Sequence, residues 1–208
     1  WWVQDFSAAL PVQLMGDIGG KTVLDTCAAP GGKTAQLVAA GAKVTALEQS
    51  ASRLKRLKQN MARLGLEVET VETNMQKYQP ETLYDVVLLD APCSSTGTLR
   101  KHPDVLWTKG VSDIEKLASV QDGMLRHALS MVKPGGIVVF SNCSADKIEG
   151  EAVVDQLIRE RNDIKRLPFS REEWPMLAQA ISDQGDLRTT ADMFAGVDGF
   201  YAARLQKA

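Results

Sequence analysis

The chain has 208 residues, of which 44% are hydrophobic and 24% are charged, and its formal net charge is -2. These values describe a folded globular protein and exclude a disordered or fibrous one, so we draw one domain over residues 1–208. The charge also argues against tight binding of nucleic acid by this chain alone, because phosphate contacts normally leave an excess of Lys and Arg.

The N-terminal residues and the cysteine content narrow the class of protein further. Residues Trp1 to Asp5 contain neither a start methionine nor a signal peptide, which indicates a piece of a longer protein. No segment is apolar for long enough to span a membrane. With three widely spaced cysteines and two histidines, we expect neither a disulfide framework nor a metal site. Free thiols favour a cytoplasmic protein, and we expect a monomer.

Short apolar runs alternate with segments of helical period from Lys21 to Ser144. This alternation predicts an α/β fold with a mostly parallel central sheet and helices on both faces. The strand candidates are Thr22 to Asp25, Lys43 to Glu48, Glu67 to Val71, Tyr84 to Asp90, and Gly136 to Ser141. A helix capped by Ser50 should follow the second strand.

A longer helix is predicted from Asp113 to Met131, stopped by the turn of Lys133 to Gly136. The residues expected to face the sheet are Ile114, Leu117, Val120, Met124 and Leu125. A further helix should follow Ser144, carrying Val153, Val154, Leu157 and Ile158.

The C-terminal part of the chain should complete the sheet. A last strand near Gly199 to Leu205 should pair antiparallel at one edge, and Ser170 to Asp198 should form a loop with short helical pieces.

Chemistry in an open α/β sheet is expected at the carboxyl ends of the strands. The first strand ends in Asp25 and leads into a turn of small residues, Cys27 to Thr34, that opens a helix. Small side chains let a ligand approach the backbone, and the start of a helix offers free N–H groups to a carboxylate. The turn is neither a Walker A loop, which needs a glycine where Cys27 stands, nor a G-x-G-x-x-G fingerprint.

Polar residues also end the second and third strands. Glu48 stands where Rossmann-type sites place an acidic side chain that accepts both hydroxyls of a ribose. Asn74 follows the third strand and could hydrogen-bond an adenine, although an isolated Asn is more often a turn residue.

The fourth and fifth strands each end beside a thiol. The fourth ends in Asp90-Ala91-Pro92-Cys93-Ser94, and the fifth ends in Ser141-Asn142-Cys143-Ser144. A single cysteine is usually a small buried hydrophobe. Two thiols at neighbouring strand ends, with an acidic residue beside one of them, indicate a functional site instead.

At these residues the sequence resembles the Sun/Fmu family of S-adenosylmethionine-dependent RNA cytosine-5 methyltransferases. The resemblance runs from Val3-Gln4-Asp5 to Gly199-Phe200-Tyr201-Ala202-Ala203-Arg204 and so covers nearly the whole chain. Its motifs are the Leu-Asp-x-Cys-Ala-Ala-Pro-Gly-Gly-Lys-Thr loop, the Asp-Ala-Pro-Cys-Ser-x-Thr-Gly strand end, the Lys-Pro-Gly-Gly turn and a nucleophile strand. The resemblance implies a Rossmann-like class I methyltransferase fold.

The resemblance also implies how the cofactor S-adenosylmethionine would be held. Its methionine end would lie in the loop formed by Cys27, Ala28, Ala29, Pro30, Gly31, Gly32 and Lys33. Glu48 would hold the ribose, Asn74 would stand near the adenine, and Asp90 would border both the cofactor and the target base.

In the implied reaction Cys143 is the nucleophile. Carbon 5 of cytosine is too electron-poor to take a methyl group unaided, so a thiolate must first add to carbon 6. Asp90 would hydrogen-bond the ring, Cys93 is associated with release of the enzyme, and Lys33 is our candidate for lowering the pKa of Cys143. The partner would be RNA, and resemblance to bacterial members of the family favours ribosomal RNA. The target cytosine would lie in a single strand or a loop.

Several positions depart from the family pattern. Glu48 and Asn74 stand where the family has Asp, Asn142 stands where it has Thr, and Glu149-Gly150-Glu151 stands where it has Glu-Glu-Asn. The family's frequent N-terminal RNA-binding extension is also missing, so we expect weak RNA affinity.

Basic and aromatic residues follow the fourth strand. Arg100, Lys101, His102 and Trp107 could contact phosphate or stack on a nucleotide. For Arg100 and Lys101 a solvated loop is an equal alternative, and Trp107 is expected to be partly buried. Arg53, with neighbouring basic residues, is expected on the solvent face of its helix.

Two alternatives stay open at this point. One is a DNA cytosine-5 methyltransferase, whose Pro-Cys nucleophile would be Cys93. The other is a cofactor-binding module without activity that serves RNA or ribosome assembly by binding.

Overall fold

A computed structural model describes all residues, 1–208. The helices are α1 (Phe6–Gln13), α2 (Gly32–Ala39), α3 (Ala51–Leu64), α4 (Val105–Thr108), α5 (Val111–Ser130) and α6 (Glu151–Glu160). The strands are β1 (Thr22–Asp25), β2 (Lys43–Glu48), β3 (Glu69–Glu72), β4 (Tyr84–Asp90), β5 (Val132–Asn142), β6 (Ile164–Arg166), β7 (Leu187–Thr189) and β8 (Phe200–Lys207). No helix combines the length and the apolar character needed to cross a bilayer.

The strands form one sheet in the order β3-β2-β1-β4-β5-β8-β6, with β7 also pairing with β8. The pairs from β3 to β5 are parallel, and β8 runs antiparallel to β5. The strand order reverses between β1 and β4, which is where open α/β sheets bind their ligands. The mostly parallel sheet with an antiparallel C-terminal strand is therefore confirmed. β8 is not the outermost strand, however, because β6, which was not predicted, pairs with its other side.

Helices cover both faces of the sheet because its central strands are apolar on both sides. In β4, Val87 and Leu89 pack with α5 and α6 residues such as Leu125. The alternate residues Val86 and Leu88 pack on the other face with α1 and α2. Four consecutive buried apolar residues are the sequence pattern of a central parallel strand.

Most predicted elements lie within a few residues of their observed bounds, and β1, β2 and β4 match them. The predicted turn from Lys133 to Gly136 instead lies inside β5, where the pairing register with β4 shifts. Val120 of α5 was wrongly expected to face the sheet, because it is 44% exposed and borders a surface cavity. The segment from Ser170 to Asp198 holds a short 3-10 helix, Pro175–Ala180, and also β7, which was not predicted.

A close backbone crossing fastens the loop after β4 to two other strands. The N–H of Gly97 donates to the carbonyl of Cys143 at 2.9 Å, and the N–H of Gly199 donates to the carbonyl of Gly97 at 2.8 Å. A Cβ atom on Gly97 would lie 2.2 Å from the Gly199 oxygen and 2.7 Å from the Cys143 oxygen. Only glycine therefore fits where this loop passes the end of β5 and the start of β8.

We predict that Gly97→Ala lowers the free energy of unfolding by about 2–3 kcal/mol or more, because backbone must move to admit the methyl group. The matched control is Gly123→Ala in α5, where the new Cβ would have no neighbour nearer than 3.5 Å. That variant should gain roughly 0.5–1 kcal/mol from helix propensity. Urea unfolding measures both, and equal stability of the two variants would show that the crossing is not tight.

Candidate active site

A cavity of 380 Å³ opens at the carboxyl ends of the parallel strands. It collects residues that the sequence predicted from separate motifs. Its wall includes Cys27, Ala29, Glu48, Asn74, Asp90, Cys93 and Cys143. Pro30, Gly31 and Gly32 instead line a second cavity, of 410 Å³, beside Trp1 and Trp2.

The loop between β1 and α2 is shaped by one glycine and one buried acid. Gly31 has φ 108° and caps α2, and a Cβ there would lie 2.7 Å from Cδ1 of Leu57, so the loop is pressed against α3. The hydroxyl of Thr34 donates to the Asp25 carboxylate at 2.8 Å. Burial raises the pKa of Asp25 to about 6.

Glu48 presents a buried carboxylate at the end of β2. The N–H of Ser50 donates to Oε1 at 2.9 Å, and Nε of Arg53 lies 3.5 Å from Oε2. Arg53 also donates to the carbonyl of Ala29 at 2.7 Å. Arg53 is solvent-exposed, as expected, but it also joins α3 to the loop between β1 and α2 and lines the cavity. Its position among the basic residues of a helix did not indicate these contacts.

Asn74 lines the same cavity and also makes a local turn. Its Oδ1 accepts from the N–H of Gln76 at 2.8 Å, and its Nδ2 donates to Gln49 at 3.1 Å. The side chain is therefore held by one contact within its own turn and one contact to Gln49, the residue after β2.

Asp90 is held from two sides. Nζ of Lys33 donates to Oδ2 at 2.7 Å, and the hydroxyl of Ser141 donates to Oδ1 at 2.9 Å. The Lys33 ammonium also lies 5.0 Å from the ring centroid of Phe200. These contacts orient the carboxylate on the cavity wall, and they bring Lys33 from the first loop to the end of β4.

The two thiols predicted to lie at neighbouring strand ends are in contact. The sulfur atoms of Cys93 and Cys143 are 3.4 Å apart, and Oγ of Ser95 lies 3.5 Å from the Cys143 sulfur. All three cysteines are free thiols.

Their acidities differ sharply. The hydrogen bond from Cys93, helped by Ser95, lowers the pKa of Cys143 against the opposing effect of burial. The same contact with Cys143, together with burial, raises the pKa of Cys93 well above its usual range. Lys33 also lowers the pKa of Cys143, but as a smaller cause than either hydrogen bond. The site therefore favours a thiolate at Cys143 and a protonated thiol at Cys93.

Glu149, to which the sequence analysis assigned no role, joins the two segments that carry the thiols. Its buried carboxylate accepts from the N–H of Ser94 at 2.9 Å, from the Ser94 hydroxyl, and from Nε2 of Gln121 at 2.9 Å. Its main-chain oxygen accepts from Nδ2 of Asn142 at 2.5 Å. Ser94 follows Cys93 and Asn142 precedes Cys143, so one residue holds both strand ends.

The departures from the family pattern near Cys143 have structural partners. Oδ1 of Asn142 accepts from the N–H of Ser144 at 3.0 Å. A Cβ on Gly150 would lie 2.6 Å from Nη2 of Arg188, so the glycine leaves room for that guanidinium. Arg188 pairs with Glu151 and donates to the Ser144 carbonyl at 2.6 Å.

The basic residues after β4 serve mainly to join parts of the chain. Nζ of Lys101 contacts Asp5 at 2.8 Å and Asp198 at 2.7 Å, and Arg100 donates to the carbonyl of Gly196 at 3.0 Å. Trp107 is 89% exposed, so the expectation of partial burial was wrong. The short helix α4 turns Val105 into the protein and leaves Trp107 outside.

The sheet order, the antiparallel last strand and a cavity at the strand ends are the architecture of class I methyltransferases. The family described as 16S rRNA methyltransferase RsmB/F matches residues 13–206, and the chain belongs to that family.

Individual relatives agree with this assignment. The chain is 35% identical over 217 residues to ribosomal RNA small subunit methyltransferase B of Pasteurella multocida, covering 99% of this chain and 46% of that protein. It is 35% identical over 221 residues to methyltransferase F of Aeromonas salmonicida, covering 100% of this chain and 45% of that protein. The chain thus spans less than half the length of these relatives.

A solved structure supports the fold. NSun6 from Pyrococcus horikoshii, solved with SFG, superposes with a TM-score of 0.86 at 24% identity, covering 99% of this chain and 53% of that one.

We predict that iodoacetamide labels Cys143 at lower pH than the other cysteines. A lowered pKa gives thiolate at lower pH, whereas burial raises the pKa of Cys27 to about 12. Each unit between two pKa values is about a tenfold difference in thiolate fraction. The labelling rate of each cysteine-containing peptide against pH measures the order.

The matched variants for this prediction are Cys93→Ala and Cys93→Ser. The alanine removes the hydrogen bond and should move the Cys143 profile to higher pH, while the serine keeps a donor and should move it less. Identical Cys143 profiles in all three proteins would contradict the role given to Cys93.

We also predict that Glu149→Gln lowers the free energy of unfolding by about 1.5–3 kcal/mol, because an amide cannot accept all the hydrogen bonds that the carboxylate accepts. Glu115→Gln on the exposed face of α5 is the control and should stay within about 0.5 kcal/mol of wild type. Urea unfolding measures the stability of both variants. If Glu149→Gln is as stable as the control, Glu149 does not hold the two strand ends together.

Proposed function

We propose that this chain is the catalytic part of an enzyme that transfers a methyl group from S-adenosylmethionine to carbon 5 of a cytosine in RNA. The proposed substrate is ribosomal RNA of the small subunit, and the proposed nucleophile is Cys143. The observation that carries the proposal is the Cys143 sulfur, which lies 3.4 Å from that of Cys93 on a cavity wall shared with Asp90 and Glu48. The family and the names of its members support the RNA substrate.

The residues present fit the cofactor. A cavity of 380 Å³ is within the usual size of small-molecule sites, roughly 300–1,000 Å³. Glu48 offers a buried acceptor to ribose hydroxyls, and Asn74 offers an amide to the adenine. Cys27 and Ala29, from the loop before α2, lie on the same cavity wall, where small side chains leave room for the methionine end of the cofactor. The S-adenosylmethionine analogue SFG in the NSun6 structure supports the same choice.

When bound, S-adenosylmethionine would supply a sulfonium methyl group and leave as S-adenosylhomocysteine. The chain would supply the activation of the base. The Cys143 thiolate adds to carbon 6 of the cytosine, which makes carbon 5 nucleophilic. Asp90, oriented by Lys33 and Ser141, can accept a hydrogen bond from the exocyclic amino group of the ring.

Release of the product is assigned to Cys93. The largest cause of its raised pKa is the hydrogen bond with Cys143, and that cause disappears once the Cys143 sulfur is bonded to carbon 6. Cys93 then gives its thiol proton to solvent in the cavity, and its thiolate takes the proton from carbon 5. The electrons of that C–H bond restore the double bond between carbons 5 and 6, and Cys143 leaves as a thiolate.

The target base must leave its stack to reach this cavity. Unstacking costs least in a single strand or loop, which favours an unpaired cytosine. The chain carries a formal net charge of -2, and Lys101 is already paired with two carboxylates, so we infer that its own affinity for RNA is weak.

We predict that RNA containing 5-fluorocytosine traps the protein covalently in the presence of S-adenosylmethionine, because fluorine at carbon 5 cannot be removed as a proton. Cys143→Ala should abolish the adduct, and Cys93→Ala should retain it. With unmodified RNA, Cys93→Ala should accumulate adduct because its release step is lost. Denaturing electrophoresis measures each case.

Two other results would each support one of the alternative functions. Trapping that needs Cys93 and not Cys143 would support the DNA-type nucleophile. Binding of S-adenosylmethionine without any adduct or methyl transfer to ribosomal RNA would support a binding module.

A further inference from the structure

Ser95 lies beside both thiols in a backbone conformation that serine rarely adopts. Its φ is 61° and its ψ is 22°, in the left-handed region, and it is one of three non-glycine residues with positive φ. That conformation is strained for an L-residue, because it brings Cβ close to the following carbonyl oxygen. Ser95 also occupies the position that the Asp-Ala-Pro-Cys-Ser-x-Thr-Gly motif leaves open.

The neighbours of Ser95 hold its backbone in place on both sides. On one side the N–H of Ser94 donates to Glu149 at 2.9 Å. On the other side Oγ1 of Thr96 accepts from the N–H of Ala145 at 3.0 Å, and the N–H of Gly97 donates to Cys143. These contacts over-determine the turn, so the strained conformation persists. Strain maintained by its surroundings at a cavity wall points to a use for the side chain.

The strained turn puts the hydroxyl of Ser95 next to the sulfur atoms. Oγ lies 3.5 Å from Sγ of Cys143 and 4.0 Å from Sγ of Cys93, and Ser95 lines the cavity. When Cys143 is protonated, its thiol can donate to the hydroxyl oxygen. When Cys143 is ionised, the hydroxyl rotates and donates to the thiolate, because a hydroxyl is both donor and acceptor.

We infer that Ser95 is a catalytic residue whose hydroxyl donates a hydrogen bond to the Cys143 thiolate and holds it ready to attack the base. The inference rests on the proposed function, since only there is Cys143 the nucleophile. Cys93 and Ser95 then act as two neutral donors to one sulfur. Because the nucleophile is the thiolate, loss of one donor lowers the fraction of enzyme ready to react near neutral pH.

The test uses Ser95→Gly and Ser95→Ala. Both remove the hydroxyl, but glycine also relieves the strain while alanine keeps it. The melting temperature should rise by about 2–4 °C for Ser95→Gly, and should not rise for Ser95→Ala. Both variants should move the labelling profile of Cys143 with iodoacetamide to higher pH by about 0.5–1 unit. If Ser95 had only a structural role, Ser95→Gly would not both raise the melting temperature and make the Cys143 thiol a weaker acid.

A second measurement follows the chemistry. Single-turnover formation of the 5-fluorocytosine adduct by Ser95→Gly should be roughly 3–10-fold slower than wild type near neutral pH. The two rates should converge at high pH, where Cys143 is ionised in both proteins. A slower rate by the same factor at every pH would overturn the inference.

The labelling experiment needs no RNA, so it separates the two proposals. Identical labelling profiles in wild type and both variants would overturn the role of Ser95 whether or not adducts form. A shifted profile with no adduct in the wild-type protein would overturn the proposed function, and with it the catalytic role of the Ser95 hydrogen bond.

Discussion

The parallel pairing of β4 with β5, in the register that sets Asp90 opposite Ser141, is the constraint on which the site depends. Because parallel strands end at the same edge of a sheet, this register brings the two following segments together, and with them the sulfur atoms of Cys93 and Cys143. It also lets Ser141 reach the carboxylate of Asp90. A shift by one residue would turn every side chain of β5 to the opposite face and dismantle the site and the core together.

In this site, hydrogen bonds from neutral groups lower the pKa of Cys143 more than nearby charges do. Lys33 and Asp90 are paired at 2.7 Å, and their effects on the pKa of Cys143 have opposite signs. The carboxylate of Asp90 therefore cancels much of the effect that the Lys33 ammonium has on the pKa of Cys143. The donors left are a thiol and a hydroxyl, which stabilise a thiolate only when they are correctly placed. The acidity of Cys143 therefore depends more on the placement of these two donors than on the net charge of the site.

The sequence predicted those parts of the fold that have a local pattern. Apolar runs ending in a polar residue located β1, β2 and β4, and the rule for strand ends brought Asp90 and the two thiols to one edge. It assigned no role to Glu149 or Ser95. Glu149 acts through hydrogen bonds to residues distant in the chain, and the hydroxyl of Ser95 is aimed by a left-handed turn that no local signal requires. Such contacts exist only once the strands have been assembled.

Side-chain contacts also explain why the chain tolerates unusual residues close to Cys143. A side chain on Gly150 would collide with Arg188, and Arg188 needs Glu151 as its partner. A return to the family's Glu at position 150 alone would displace the guanidinium from the Ser144 carbonyl and leave Glu151 without its cation. The glycine, the acid and the distant arginine are therefore one arrangement. Through Arg188 they hold Ser144, the residue after Cys143. The sequence can therefore differ from the family at this turn while the Cys143 thiol stays fixed in position.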